Sequence, residues 1–101
     1  MPPVNELQHP DRDALVLEDV LFALSDPARL DLVRQLRESS LTAASCTTLD
    51  PAMPKSTRSH MLKVLREAGV IRNVPEGRNR RLSLRREDLD ARFPGLLDAV
   101  L

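Results

Sequence analysis

The apolar residues of this chain switch from helical to alternating period at Gly69, and that switch restricts the fold more than any other feature. From Lys55 to Ala68 they recur at helical spacing: at about a hundred degrees per residue, Arg58, Met61, Leu62 and Leu65 share one side. Ser56, Ser59, His60 and Lys63 fall on the opposite side, joined by Glu67 at the far end, while Lys55 and Thr57 flank the first turn. Gly69 is a natural left-handed cap for such a helix. Beyond it, Val70-Ile71-Arg72-Asn73-Val74 and Arg80-Arg81-Leu82-Ser83-Leu84 alternate about the turn residues Pro75-Glu76-Gly77-Arg78-Asn79. That pattern predicts a two-stranded hairpin. A polar-faced helix over about 55–68 is therefore followed by a cationic ribbon over about 70–84.

The flanking segments read as helix. From about Asp13 the stripe Leu17, Val20, Leu21 and Leu24 predicts a first helix. Asp26 is a good N-cap and Pro27 suits the first position of a second helix, which carries Leu32, Val33 and Leu36 and runs out near Ser39-Ser40. A short helix is expected around Ala43 to Leu49, interrupted by Asp50-Pro51. In the C-terminal segment, about 87–101, Leu89, Phe93, Leu96, Leu97 and Val100 share a face that Pro94-Gly95 should kink or divide. Residues 1–12, with Pro2 and Pro3, read as a flexible arm before a single domain over 13–101. With only Phe22 and Phe93 as aromatics, the core must be aliphatic, which suits a mainly α fold with a small β-hairpin. A chain of 101 residues holds one modest core and often gains stability from a second copy.

Several functions are excluded. A single cysteine, Cys46, permits no intrachain disulfide and fits a reducing, cytoplasmic compartment, and charges interrupt every apolar run before it could cross a bilayer. No glycine-rich phosphate loop and no nucleophile with a supporting base occur, and the two histidines are far apart, so the chain does not read as an enzyme.

The formal charge is zero, yet it is segregated. Residues 55–86 hold ten basic groups against two acidic ones, while both flanks are net acidic. A basic face on an acidic body is the footprint of a protein that docks a polyanion. The polar face of the 55–68 helix fits a DNA major groove, with Lys55, Ser56, Thr57, Arg58, Ser59, His60 and Lys63 as the contact set. Arg72, Arg78, Arg80 and Arg81 on the hairpin are expected to grip the adjacent backbone. Two other readings stand beside this one. A cationic ribbon can simply be a charged, soluble sheet edge, and the basic face could dock an acidic protein.

The residues Leu24-Ser25-Asp26-Pro27-Ala28-Arg29-Leu30, the run from Ser56 to Ile71, and Glu76-Gly77-Arg78 together give a chain that resembles the ArsR/SmtB family of small winged-helix repressors over most of residues 15–85. The resemblance implies a winged helix-turn-helix of order α-α-α-α-β-β-α and a homodimer with two recognition helices on double-stranded operator DNA. It also implies terminal helices at the dimer interface, through Leu17, Val20, Leu21, Leu89, Phe93, Leu96, Leu97 and Val100, and repression relieved by a signal. The chain departs from the pattern at Arg58, where members commonly carry an apolar residue, and at Met61, where a second histidine is common. Arg58 could reach a phosphate or pair with an acid of the second helix.

The signal is open between a metal, a small molecule and a protein co-regulator. Metal-sensing branches carry a cysteine pair before the recognition helix, or Asp and His ligands on the last helix. Here Cys46 stands alone and the last segment has no histidine. His9, Asp11 and Asp13 offer nitrogen and oxygen donors for nickel or zinc, against a competing reading of an acidic arm that caps the first helix. Any metal response would use a nonstandard site.

Overall fold

The computed structural model describes residues 7–42 and 52–101. Within them, helix α1 spans Leu17–Leu24, α2 Pro27–Glu38 and α3 Lys55–Glu67. Strands β1 (Leu41–Thr42), β2 (Ile71–Glu76) and β3 (Asn79–Leu84) form one sheet, and α4 (Arg86–Arg92) and α5 (Leu96–Val100) close the chain. The helix expected around Ala43 to Leu49, with Cys46, lies outside the described residues.

The boundaries follow local chemistry. Asp26 caps α2, its side chain accepting from the Arg29 N–H at 3.1 Å, with Pro27 at the first helical position. Helix α3 ends in a Schellman motif: Val70 N–H reaches the Leu65 carbonyl, Gly69 N–H reaches that of Arg66, and Gly69 is left-handed at φ 84°. A Cβ at Gly69 would also collide with the Leu15 side chain, so glycine is required there twice over. As expected, Pro94-Gly95 divides the last helical stretch.

The sheet is antiparallel in the order β1-β3-β2. It has three strands where two were expected, because Leu41 and Thr42 pair with Leu82 and Arg81. A two-residue strand is too short to show an alternation. The hairpin is also tighter than expected: Pro75 pairs with Arg80 and Glu76 with Asn79, leaving Gly77-Arg78 as a two-residue turn with Gly77 at positive φ.

The core joins Leu15, Val20, Leu32, Val33, Leu65, Ile71, Leu82, Leu89 and Leu97, so every layer contributes to it. Two expectations are corrected. The first helix starts at Leu17, after a 3-10 turn over Arg12–Ala14, because Leu15 turns inward against Gly69. The arm is not loose over residues 7–12: Arg66 donates to the Gln8 carbonyl and Arg85 to the Pro10 carbonyl at 2.7 Å, which fastens it to the domain. Among the described residues, no helix is long and apolar enough to cross a membrane.

Candidate nucleic-acid interface

Helix α3 turns Met61 and Leu65 into the core and leaves Lys55, Ser56, Thr57, Ser59, His60 and Lys63 exposed. The amphipathic pattern fixes that orientation, since only one face of the helix can be buried. Pro54 is the N-cap and supplies no side-chain cap, and the first intrahelical bond runs from Arg58 N–H to the Pro54 carbonyl. The N–H groups of Lys55, Ser56 and Thr57 thus open onto the same surface, with the positive end of the helix dipole behind them. Lys63 lies 3.9 Å from Glu67, a weak exposed pair.

Arg58 lies between the two faces. Among the described residues its buried Nε has no hydrogen-bond partner, and it is not paired with an acid of α2, where Asp31 and Glu38 lie beside Arg34 and Arg37. Of the two roles open to it, the pairing with α2 is therefore not the one adopted.

Most of the hairpin arginines expected to grip the DNA backbone also have partners within the subunit. Arg81 is held bidentate by Glu76, whose carboxyl is pulled below its ordinary range by that bond, and also reaches Ser40. Arg80 donates to the Asn73 side chain at 2.8 Å and to the Asn73 carbonyl at 2.7 Å. Arg72 leaves the tip altogether and points to Asp88 at 3.3 Å. Three of the four therefore brace the sheet, and Arg78, in the exposed turn, is the cation left to project.

Asp88 gathers more charge than its sequence position suggests. Arg12 meets it at 2.7 Å, buried Arg85 at 2.9 Å and Arg72 at 3.3 Å, and the Arg12 bond foremost holds its carboxyl below the usual carboxylate range. Neither Asp88 nor Asn73 stood out in the sequence as functional. The one available signal was an amide at the inward phase of a strand, where Asn73 follows Ile71 by two.

The metal candidates do not converge. His9 Nε2 accepts from the Asn73 N–H at 3.0 Å, Asp11 and Asp13 are exposed, and no three His, Cys, Asp or Glu side chains gather among the described residues. The acidic arm does not cap as read either, since Asp11 precedes the 3-10 turn without a side-chain bond. Burial, reinforced by Arg66, Arg85 and Arg72, lowers the His9 pKa below its ordinary value.

The expected dimer residues divide in two. Val20, Leu89 and Leu97 are wholly buried in the subunit's own core, which removes them from any surface a partner could touch. Phe93, Leu96 and Val100 pack half-buried against that core. Leu17 and Leu21, at 40% and 45% exposure, instead stand in solvent on α1, as do neighbouring Val16 and Phe22.

No protein-family model matches the chain. It is similar to an uncharacterized HTH-type transcriptional regulator, YceK, of Bacillus subtilis (strain 168), with 31% identity over 90 residues covering 87% of this chain and 89% of the relative. Among solved structures, a possible transcriptional regulator for arsenical resistance superposes with a TM-score of 0.63 at 31% identity, covering 83% of this chain and 84% of that one. An ArsR-like transcriptional regulator from Rhodococcus sp. RHA1 gives 0.63 at 27% identity, over 82% of this chain and 79% of that one. The transcriptional repressor BigR from Xylella fastidiosa gives 0.59 at 25%, over 76% and 85%.

Proposed function

This chain belongs to the ArsR family of helix-turn-helix transcriptional regulators, and from that premise we propose that it binds an inverted-repeat operator as a homodimer and represses transcription. The observation that carries the proposal is the joint presentation of the α3 polar face, its uncapped N-terminus and the single projecting wing cation, Arg78. Ser56, Ser59 and His60 read base edges from the major groove. Lys55, the first N–H groups of α3 and Arg78 hold phosphates, which sets register without sequence preference. Arg72, Arg80 and Arg81 act at one remove, as braces that stiffen the wing.

Dimerisation is supported by the exposed apolar residues Val16, Leu17, Leu21 and Phe22, surface that a second copy would take out of water. Repression is supported by the likeness to a protein described as a repressor.

Selection of bound fragments from a random duplex pool, followed by affinity measurements across a salt series, tests this reading. The expected outcome is an inverted repeat with half-sites about one helical turn apart, bound with affinity that falls steeply as salt rises. A purified protein that ignores every duplex at low ionic strength would overturn it, and retention of an acidic protein ligand under those conditions would favour a docking module instead.

A further inference from the structure

The segment Gln8-His9-Pro10 is held at three consecutive residues along the outer edge of β2. Arg66, in the last turn of α3, donates to the Gln8 carbonyl. The Asn73 N–H projects off the unpaired edge of β2 and donates to His9 Nε2 at 3.0 Å. Buried Arg85 donates to the Pro10 carbonyl at 2.7 Å. Because Nε2 accepts from the Asn73 N–H, a neutral His9 ring carries its proton on Nδ1. Asn73, only 7% exposed, passes the connection on: its side chain and its carbonyl both receive Arg80 of β3.

A continuous path of polar contacts therefore runs from the end of α3, through Gln8 and His9, to the base of the wing. It borders a groove of about 450 Å³ that separates α3 from the sheet and is lined by Leu7, Ser59, Leu62, Arg66, Asn73 and Arg80. Leu65 and Ile71 join α3 to β2 in the core, and along the groove the polar path adds a second link between the two elements. The strap also covers a strand edge that would otherwise present unpaired backbone groups.

We propose that His9 is a positioning residue for DNA binding: its neutral Nε2 latches the edge strand of the wing to the end of the recognition helix and so sets the distance from Arg78 to the reading face of α3. This rests on the DNA-binding reading above. The latch needs an acceptor at His9, because an imidazolium has donors at both nitrogens and no acceptor to offer the Asn73 N–H.

The test uses the full chain with His9→Ala, His9→Gln, Arg78→Ala and the His9→Ala/Arg78→Ala double variant. Two quantities are read: hydrogen exchange of the Asn73 amide in the free protein, and affinity for the selected operator. His9→Ala should expose the Asn73 amide and weaken operator binding roughly 3- to 30-fold, the range for a residue that acts through another element. His9→Gln, which restores an acceptor, should recover most of both. The His9→Ala and Arg78→Ala losses should be less than additive, since a wing already released no longer delivers Arg78.

Strict additivity, or an Asn73 amide that exchanges no faster in His9→Ala, overturns the latch. If the unaltered protein binds no duplex while its Asn73 amide remains protected, the DNA reading has failed and takes the positioning role with it. The two failures are thus told apart.

Discussion

At the scale of single residues, direct readers and wing cations separate by what each contact carries. Ser59 and His60 are exposed on the polar side of α3, the face proposed to enter the groove, whereas Arg78 is exposed in the hairpin turn, where it is proposed to hold a phosphate. Ser59→Ala or His60→Ala should therefore shift operator preference. Arg78→Ala should weaken all duplexes alike and lower the salt slope by about one. Competition among operator variants at two salt concentrations checks this, and a wing substitution that changed preference alone would reverse the assignment. Gly69 offers a second test, of stability. Its positive φ and the closeness of Leu15 and Pro10 leave no room for a methyl group, so Gly69→Ala should cost about 1–3 kcal/mol in urea unfolding.

At the scale of elements, the carboxylate of Asp88 draws together the 3-10 turn through Arg12, β2 through Arg72 and the entry to α4 through Arg85. The sign of its pH effect follows from the direction of the shift. The folded protein holds the carboxyl below its ordinary value of 3.8, so the stabilisation is fully present above that pH and is lost as pH falls through the lowered folded value. Acid titrations of Asp88→Asn and the parent should show the parent's stability falling more steeply at low pH. At neutral pH, Asp88→Ala should destabilise by about 3 kcal/mol, because Arg85 is left as a buried cation without its carboxylate. His9 has the same sign at higher pH: its lowered pKa makes stability decline as pH drops below 6.5, where the unfolded chain takes up a proton that the folded ring resists.

At the scale of the whole molecule, the subunit leaves Val16, Leu17, Leu21 and Phe22 in water while burying Leu89 and Leu97. An operator with two half-sites needs two recognition helices at a fixed spacing, and a second copy packed on these exposed residues would supply it. Leu21→Glu should leave the fold intact, since the side chain is half in solvent, and convert the protein to a monomer in sedimentation. Its affinity for a full inverted repeat should fall towards that for a half-site. A variant that remains dimeric would move the interface elsewhere.

Residue order alone determined much of this. Periodicity and caps gave α2, α3 and the hairpin, because helix faces, the Asp26-Pro27 start and the Gly69 stop are local chemistry acting over a few residues. The exposed polar face of α3 was legible for the same reason. What only the tertiary structure decided was the fate of groups whose partners lie far away in the chain. The sequence does not show that Arg72 pairs with Asp88 and Arg80 with Asn73, nor that the Gln8 and Pro10 carbonyls accept from Arg66 and Arg85. Val20, Leu89 and Leu97 carried the same apolar signal as a dimer face, but an apolar stripe does not say whether its own core or a second copy will cover it. Sequence periodicity fixes which side of an element is apolar, and long-range packing fixes what that side meets.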